Sequence, residues 1–314
     1  MRFLKISRLT GLQQLRLLLL ALLLPGQLLL PSDAWSSGLL IVYPKVKAPF
    51  NKIYEDIIKG INESYPGISR GLQLPAKNER KILEEEIKRH QPRVLVTLGK
   101  RSLQTARQLA TPIPIVAGAI TKTEVAVPGV SMSPDPELIL SHLLDIAPFV
   151  KRVYVVADLE RQTQLADAAA FLSEHGRVLQ IEEAKSVQEA ANKYLKIIQQ
   201  ASEANAIWLM RSTSLNDPSL LMLVLEAAWK KKIVIFSSNP SHVKRGALFS
   251  LYPDNEKMGR TLATIAQQHE LELIPADTDL APLRSVHLIV NKRTSKHLGI
   301  IPNNISGLTI HRLL

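Results

Sequence analysis

Apolar residues fall into two alternating patterns along this chain. Short continuous runs, "GLLIVYP" at 38–44, "RVLVTLG" at 93–99 and "PIPIVAGA" at 112–119, read as buried strands. Between and after them, 51–65, 78–90, 102–110 and 135–147 carry apolar residues every three or four positions, as amphipathic helices do. The 135–147 helix opens on Asp135 as N-cap with Pro136 at its first position. A second series follows, with strands at 152–158, 177–184, 205–211 and 232–238 and helices at 161–176, 187–201 and 218–231. Strands separated by helices of about a dozen residues make βαβ units, whose product is a parallel sheet.

Two such series in tandem predict two lobes. The stretch "RGALFSLYPDNEKMGR" at 245–260 changes period, from a strand at 246–253 to a helix at 254–268 capped by Asp254. A strand that late returns the chain to the first lobe, and the 285–300 segment with a short helix after it crosses again. The expected architecture is α/β: two Rossmann-like lobes with parallel sheets, joined by crossover strands. The first lobe takes 38–147 plus about 254–284, and the second takes 148–253 plus about 285–314. Several crossings make a hinge, and the cleft between the lobes can open and close.

Residues 1–34 stand apart. Arg2, Lys5, Arg8 and Arg16 precede or enter a leucine run, Leu17 to Leu24, which Pro25-Gly26 breaks before the small-residue site Ser32-Asp33-Ala34. That order is an export signal's, and the run is shorter than the ~20 residues a spanning helix needs. Retention as an anchor is the alternative, and cleavage would leave the periplasm as the destination.

The 314 residues, 46 % of them hydrophobic, suffice for two cores, and the formal charge of +11 becomes +8 once residues 1–34 are removed. A basic chain attracts anions, but its cations are scattered and no nucleic-acid motif accompanies them. With no cysteine, thiolate catalysis, disulfides and cysteine-ligated metals are excluded. The eight histidines have no metal spacing, G-x-G-x-x-G does not occur, and "GISRG" at 67–71, which follows a helix and does not lead a strand into one, makes no G-x-S-x-G elbow. The sequence therefore calls for no catalytic residue, metal or cofactor.

Two blocks carry a family likeness. "NAIWLMRSTSLNDPSLLMLVLEAAWKKKIVIFSSNPSHVKRGALFSLYPDNEKMGR" (205–260) and "HLIVNKRTSKHLGIIP" (287–302) resemble the ABC-transporter substrate-binding proteins of the periplasmic-binding-protein-like I group. In that family a basic turn precedes a "GAL…yd…GR" crossover, and the chain closes on "vN.kta..LGi.iP". The resemblance implies a type I periplasmic binding protein fold, a small solute held between the lobes, an ABC importer permease or other envelope membrane protein as partner, and a monomer. Relatives of this kind include binders of aromatic amino acids. Two departures point elsewhere: Arg211 stands where amino-acid binders tend to carry an acid or amide, and "ADLERQ" at 157–162 replaces an Asn/Ser-rich turn. Arginine cannot hold a ligand ammonium, so an anionic solute fits better. An envelope interaction protein with an altered or lost pocket is the alternative.

Ligands of open α/β sheets bind beyond the carboxyl ends of the strands. That rule selects Tyr43, Gly99, Ser102, Thr121, Asp158, Arg211, Ser238, Asn239 and Tyr252. In "TLGKRS" (97–102), Gly99 permits close approach and Ser102 opens a helix able to hold a carboxylate or phosphate; an ordinary turn with Ser102 as N-cap is the other reading. The turn is no phosphate loop, since Val94 stands where that motif needs glycine. Arg211 either meets the ligand or pairs with a carboxylate such as Asp217. Ser238 and Asn239 suit a solute or a simple turn before Pro240. Trp208 is expected in the core and Trp229 at a helix end, while Lys230, Lys231 and Lys232 complement a helix dipole.

Overall fold

A computed structural model describes residues 38–109, 111–121, 126–158, 162–210, 217–273, 275, 278–301 and 309–314. Ser37–Leu314 forms one compact unit. The expected export signal lies outside the described residues.

The first sheet takes its strands mostly from the first half of the chain: β1 (Leu39–Pro44), β2 (Ser69–Leu74), β3 (Val94–Leu98), β4 (Ile115–Ile120), β5 (Gly129–Pro134) and, much later, β11 (Ala281–Leu283). Their spatial order is β11-β5-β4-β3-β1-β2, and every pairing is parallel. Alternation along β1 shows how the sheet is covered. Leu39 and Ile41 face α1 (Asn51–Ser64) and α9 (Asn255–Glu270), while Leu40 and Val42 face α2 (Glu79–His90) and α3 (Lys100–Arg107).

The second sheet holds β6 (Arg152–Ala157), β7 (Val178–Glu183), β8 (Asn205–Leu209), β9 (Val234–Ser237), β10 (Phe249–Pro253), β12 (Val286–Val290) and β13 (Ile310–Leu313). Its order is β13-β12-β10-β9-β8-β6-β7, with β10 and β12 antiparallel and the other neighbours parallel. One face packs on α4 (Pro136–Ile146) and α5 (Gln162–Glu174), the other on α6 (Val187–Gln200) and α7 (Pro218–Lys230). Two short helices, α8 (Ser241–Arg245) and α10 (Lys292–His297), follow β9 and β12.

The chain passes between the sheets three times. It leaves β5 for α4 at Asp135, leaves β10 for α9 at Asp254, and leaves β11 for β12 at Arg284 and Ser285. Each passage starts at the carboxyl end of a strand and is one or two residues long, so the carboxyl edges of both sheets must lie next to the crossings. The passages are tied together. The backbone N–H of Asp135 donates to the Leu283 carbonyl (2.9 Å), and that of Asp254 to the Ser285 carbonyl (3.0 Å). Both aspartates are buried N-caps, accepting from Glu137 N–H (2.9 Å) and Lys257 N–H (3.0 Å), and the second oxygen of each meets a base in the third passage or at the start of β12. Arg284 lies 2.9 Å from Asp135, and His287 Nε2 lies 3.5 Å from Asp254.

After its crossing, α9 is fastened to the first lobe. A side chain at Gly60 would come within 2.0 Å of the Glu256 carbonyl oxygen, and one at Gly259 within 2.1 Å of that of Ile57. The backbones of α1 and α9 therefore touch, which explains the glycine of the "MGR" motif. Met258 and Leu262 are buried there, each contributing about 1.5–3 kcal/mol. The surface pairs Lys59–Glu256 (2.8 Å) and Arg260–Glu63 (2.9 Å) add little.

The structure departs from expectation in particular places. Helix α4, expected to close the first lobe, sends Ile139, Leu140 and Leu143 into the second core. The late strand covers Val286–Val290 only, and the following "KRTSKH" is helical. Strands β2, β5, β11 and β13 and helix α8 were not foreseen; β5, "GVSMSP", lacks the apolar run that marks its neighbours.

Candidate functional site

The carboxyl edge of the first sheet gathers Tyr43, Gly99 and a residue the sequence did not single out, Tyr54. The Tyr43 and Tyr54 rings stack at 6.2 Å and 27°. Gly99 has φ +87°, and a Cβ there would stand 3.1 Å from the Tyr54 hydroxyl, so both conformation and space call for glycine. Burial raises the Tyr54 phenol above its ordinary 10 and keeps it a neutral donor. Tyr54 was legible only as the helical residue a turn beyond the β1 loop.

Gly99, and not Ser102, is the N-cap of α3. No side chain caps that terminus and its first turn carries no acid, so its backbone N–H groups face outward without a side-chain acceptor. Ser102 lies beneath the turn, fully buried, its hydroxyl without a hydrogen-bond partner among the described residues. Arg101 turns away, pairing with Glu79 and donating to the Ala76 carbonyl (2.9 Å). Thr105 donates to the same Glu79 carboxylate (3.0 Å). Lys100 is exposed at the turn and forms no ion pair among the described residues. Thr121 is exposed beyond β4, its carbonyl accepting from Ser133 Oγ (2.6 Å).

The turn after β9 is built differently. Asn239 Oδ1 accepts from the Ser241 N–H (3.0 Å) and hydroxyl (2.9 Å), which fixes the amide orientation and sends Nδ2 toward His242 Nε2 (3.2 Å). An amide nitrogen only donates, so Nε2 accepts and the imidazole proton sits on Nδ1, 2.9 Å from Ser237 Oγ. The Ser237 hydroxyl then donates to the Leu209 carbonyl (2.9 Å) while accepting from Asn239 N–H (3.0 Å). This Ser–His contact runs opposite to that of an activated nucleophile, and Ser237 is fully buried. Ser238 Oγ accepts from Trp208 Nε1 (3.0 Å), so a core tryptophan holds it in place.

Asp158 stands half-buried at the end of β6. Tyr252 is the last residue but one of β10, its ring tilted on His287 at 5.2 Å. Arg211 lies outside the described residues; Asp217, its suggested partner, caps α7 through the N–H groups of Ser219 (2.8 Å) and Leu220 (2.9 Å). Topology thus puts Tyr43, Gly99 and Thr121 on one carboxyl edge and Asp158, Ser238, Asn239 and Tyr252 on the other. Among the described residues no cluster of three His, Asp or Glu could hold a metal, and no helix is long and apolar enough to cross a membrane.

A family model described as ABC transporter substrate binding protein matches residues 75–309. Curated protein sequences give no match. Among solved structures, an ABC domain in complex with L-Trp from Streptococcus pneumonia is 18 % identical, covering 89 % of this chain and 100 % of its own, with a TM-score of 0.55. A ligand-free, open substrate-binding protein with adhesive properties from Clostridium difficile is 15 % identical, with coverages of 88 % and 100 % and a TM-score of 0.65. A periplasmic ribose ABC transporter protein from Conexibacter woesei is 13 % identical, with coverages of 84 % and 96 % and a TM-score of 0.50. At such identities the likeness is one of fold, that of the type I periplasmic binding proteins.

Proposed function

Because the chain belongs to the ABC transporter substrate-binding protein family, we propose that it is an exported receptor that closes its two lobes around a small polar or anionic solute and hands it to a membrane importer. The family is one of binding proteins and in general not of enzymes, in keeping with the Ser237–His242 proton arrangement.

The turn at Gly99 carries the ligand reading. Uncapped N–H groups, an exposed lysine and a buried unpartnered hydroxyl suit a carboxylate or similar anion. A buried hydroxyl without a partner costs about 1–3 kcal/mol, which a ligand reaching the turn would relieve. The tyrosine pair beside it offers a face for an aromatic or planar body, the class to which the L-Trp of the streptococcal protein belongs. Closure follows if the solute touches both carboxyl edges only when they approach, since differential affinity is what shifts the population.

The test is a thermal-shift and calorimetric screen of amino acids, organic anions, nucleosides and sugars. A true ligand at ~100 times its Kd adds about 2.7 kcal/mol of stability. Scattering in solution should then report a smaller radius of gyration with the hit bound. Flat melts across the whole library would sink the receptor reading. They would favour the second reading, an envelope interaction protein of the same fold, which the largely committed polar groups at Ser237–Asn239 support.

A further inference from the structure

The end of the second lobe remote from the crossings is unlike the rest of the surface. There the end of α7, helix α8, which runs on from the turn after β9, and helix α10 come together beside the amino end of β10 and the carboxyl end of β12. Asn291 Nδ2 donates to the Val243 carbonyl (2.6 Å), and Thr294 Oγ1 to that of Gly246 (3.0 Å). His297 donates through Nε2 to the Trp229 carbonyl (2.9 Å) and lies parallel to its indole at 3.8 Å, with the Arg293 guanidinium 5.4 Å from the same ring.

These three elements expose Lys232, Lys244, Arg245, Lys292, Arg293 and Lys296, none in an ion pair among the described residues. Lys230 is paired with Glu226, and Lys231 donates to the carbonyls of Ile198 (2.8 Å) and Gln199 (2.7 Å). On the first lobe more of the cations are matched: Lys52, Lys59, Lys88 and Arg89 on helices, and Arg93 just ahead of β3, each meet an acid within 3 Å, although Lys100 does not. One cation at a helix end complements the dipole. Six from three converging elements repel one another without local compensation, a cost that an anionic partner offsets.

We propose that this pole docks electrostatically on an acidic lipid surface. The groove between these elements, lined by Trp229, Ile233, Gly246 and Leu298 among others, is mostly apolar and has room for little more than a water, so the long flexible cations around it suit a diffuse plane of headgroups better than a shaped protein face. Half-buried Trp229, held at their level, is the side chain that settles at a membrane–water boundary. The crossings lie at the other ends of β10 and β12 and stay accessible. The proposal does not depend on which solute is bound.

Vesicle flotation tests it, using the full chain and, in parallel, residues 37–314, which form the compact unit described above. Vesicles with about 30 % phosphatidylglycerol should bind at least roughly tenfold better than neutral ones, and the preference should vanish near ~0.5 M salt. Replacing Lys232, Lys244, Lys292 and Lys296 together by Gln should remove most of the preference. The pair Lys244→Gln and Lys296→Gln should give an intermediate loss, which keeps the test usable if the fourfold variant folds poorly. Neutralising Lys52, Lys77, Lys81 and Lys88 on the first lobe should leave binding within about twofold. Equal loss in the two fourfold variants would assign the effect to net charge and overturn the proposal. So would absence of acidic preference in 37–314, or retention on a polyanion column without vesicle binding.

Discussion

The turn that opens α3 and the turn that follows β9 hold equivalent places on the carboxyl edges of their sheets, yet one is open and the other is closed. At Gly99 the helix starts without a side-chain cap, and the serine beneath it has no partner among the described residues. At Ser237–His242 serine, asparagine, histidine and backbone form a ring in which most donors and acceptors are used. A polar residue at the end of a strand is therefore not by itself a ligand contact. What matters is whether the local backbone has already consumed its hydrogen-bonding capacity.

Substitutions can separate the two turns, and the largest effect is expected at Gly99. Gly99→Val places a branched side chain at φ +87° against the Tyr54 hydroxyl, and should cost roughly 2–3 kcal/mol in denaturant unfolding and abolish solute binding. Asn239→Ala should cost about 1–2 kcal/mol by undoing the ring, yet leave solute affinity within about twofold by calorimetry. A large affinity loss there would erase the contrast.

Ser102→Ala should do the reverse. Removing an unpartnered buried hydroxyl should raise apo stability by up to about 1 kcal/mol while weakening the solute several-fold. Lys100→Met should lower affinity for an anionic solute by about fivefold at low salt, the difference shrinking as salt rises.

The smallest effect concerns pH at the crossings. Burial holds His287 below its ordinary 6.5 against the opposing pull of Asp254. The unfolded chain therefore binds a proton there more readily than the folded one. The stability this group contributes is present above about pH 6.5 and is lost as pH falls through the lower folded value. With the side chain partly exposed, the loss should stay under ~1 kcal/mol, read as a drop in melting temperature on acidification that His287→Gln reduces.

Much of the α/β order was legible because buried parallel strands such as "RVLVTLG" read as continuous apolar runs. The turn from β10 into α9 was legible too, through Asp254 and the change of period. Polar strands escaped notice. β2, "SRGLQL", sits at a sheet edge and β5 mixes serine with glycine, so neither carries a hydrophobic signature. Helix α4 shows a clear apolar face, but amphipathicity does not say which sheet will cover it, and Asp135, read as an ordinary cap, also marks a change of lobe. At the candidate site, Gly99 and Tyr43 could be picked from strand ends, whereas Tyr54 could not, because its place beside them arises from the loop that folds α1 back over β1.

The three passages between lobes, each no more than two residues long and pinned to its neighbours through Asp135–Arg284 and Asp254–His287, limit how the halves can move. Under the closure proposed above, tethers this short favour a swing of the lobes over a slide. Any guest that draws the edges together therefore acts on a single angle. A contact far from the pins works with long leverage, and one beside them with almost none.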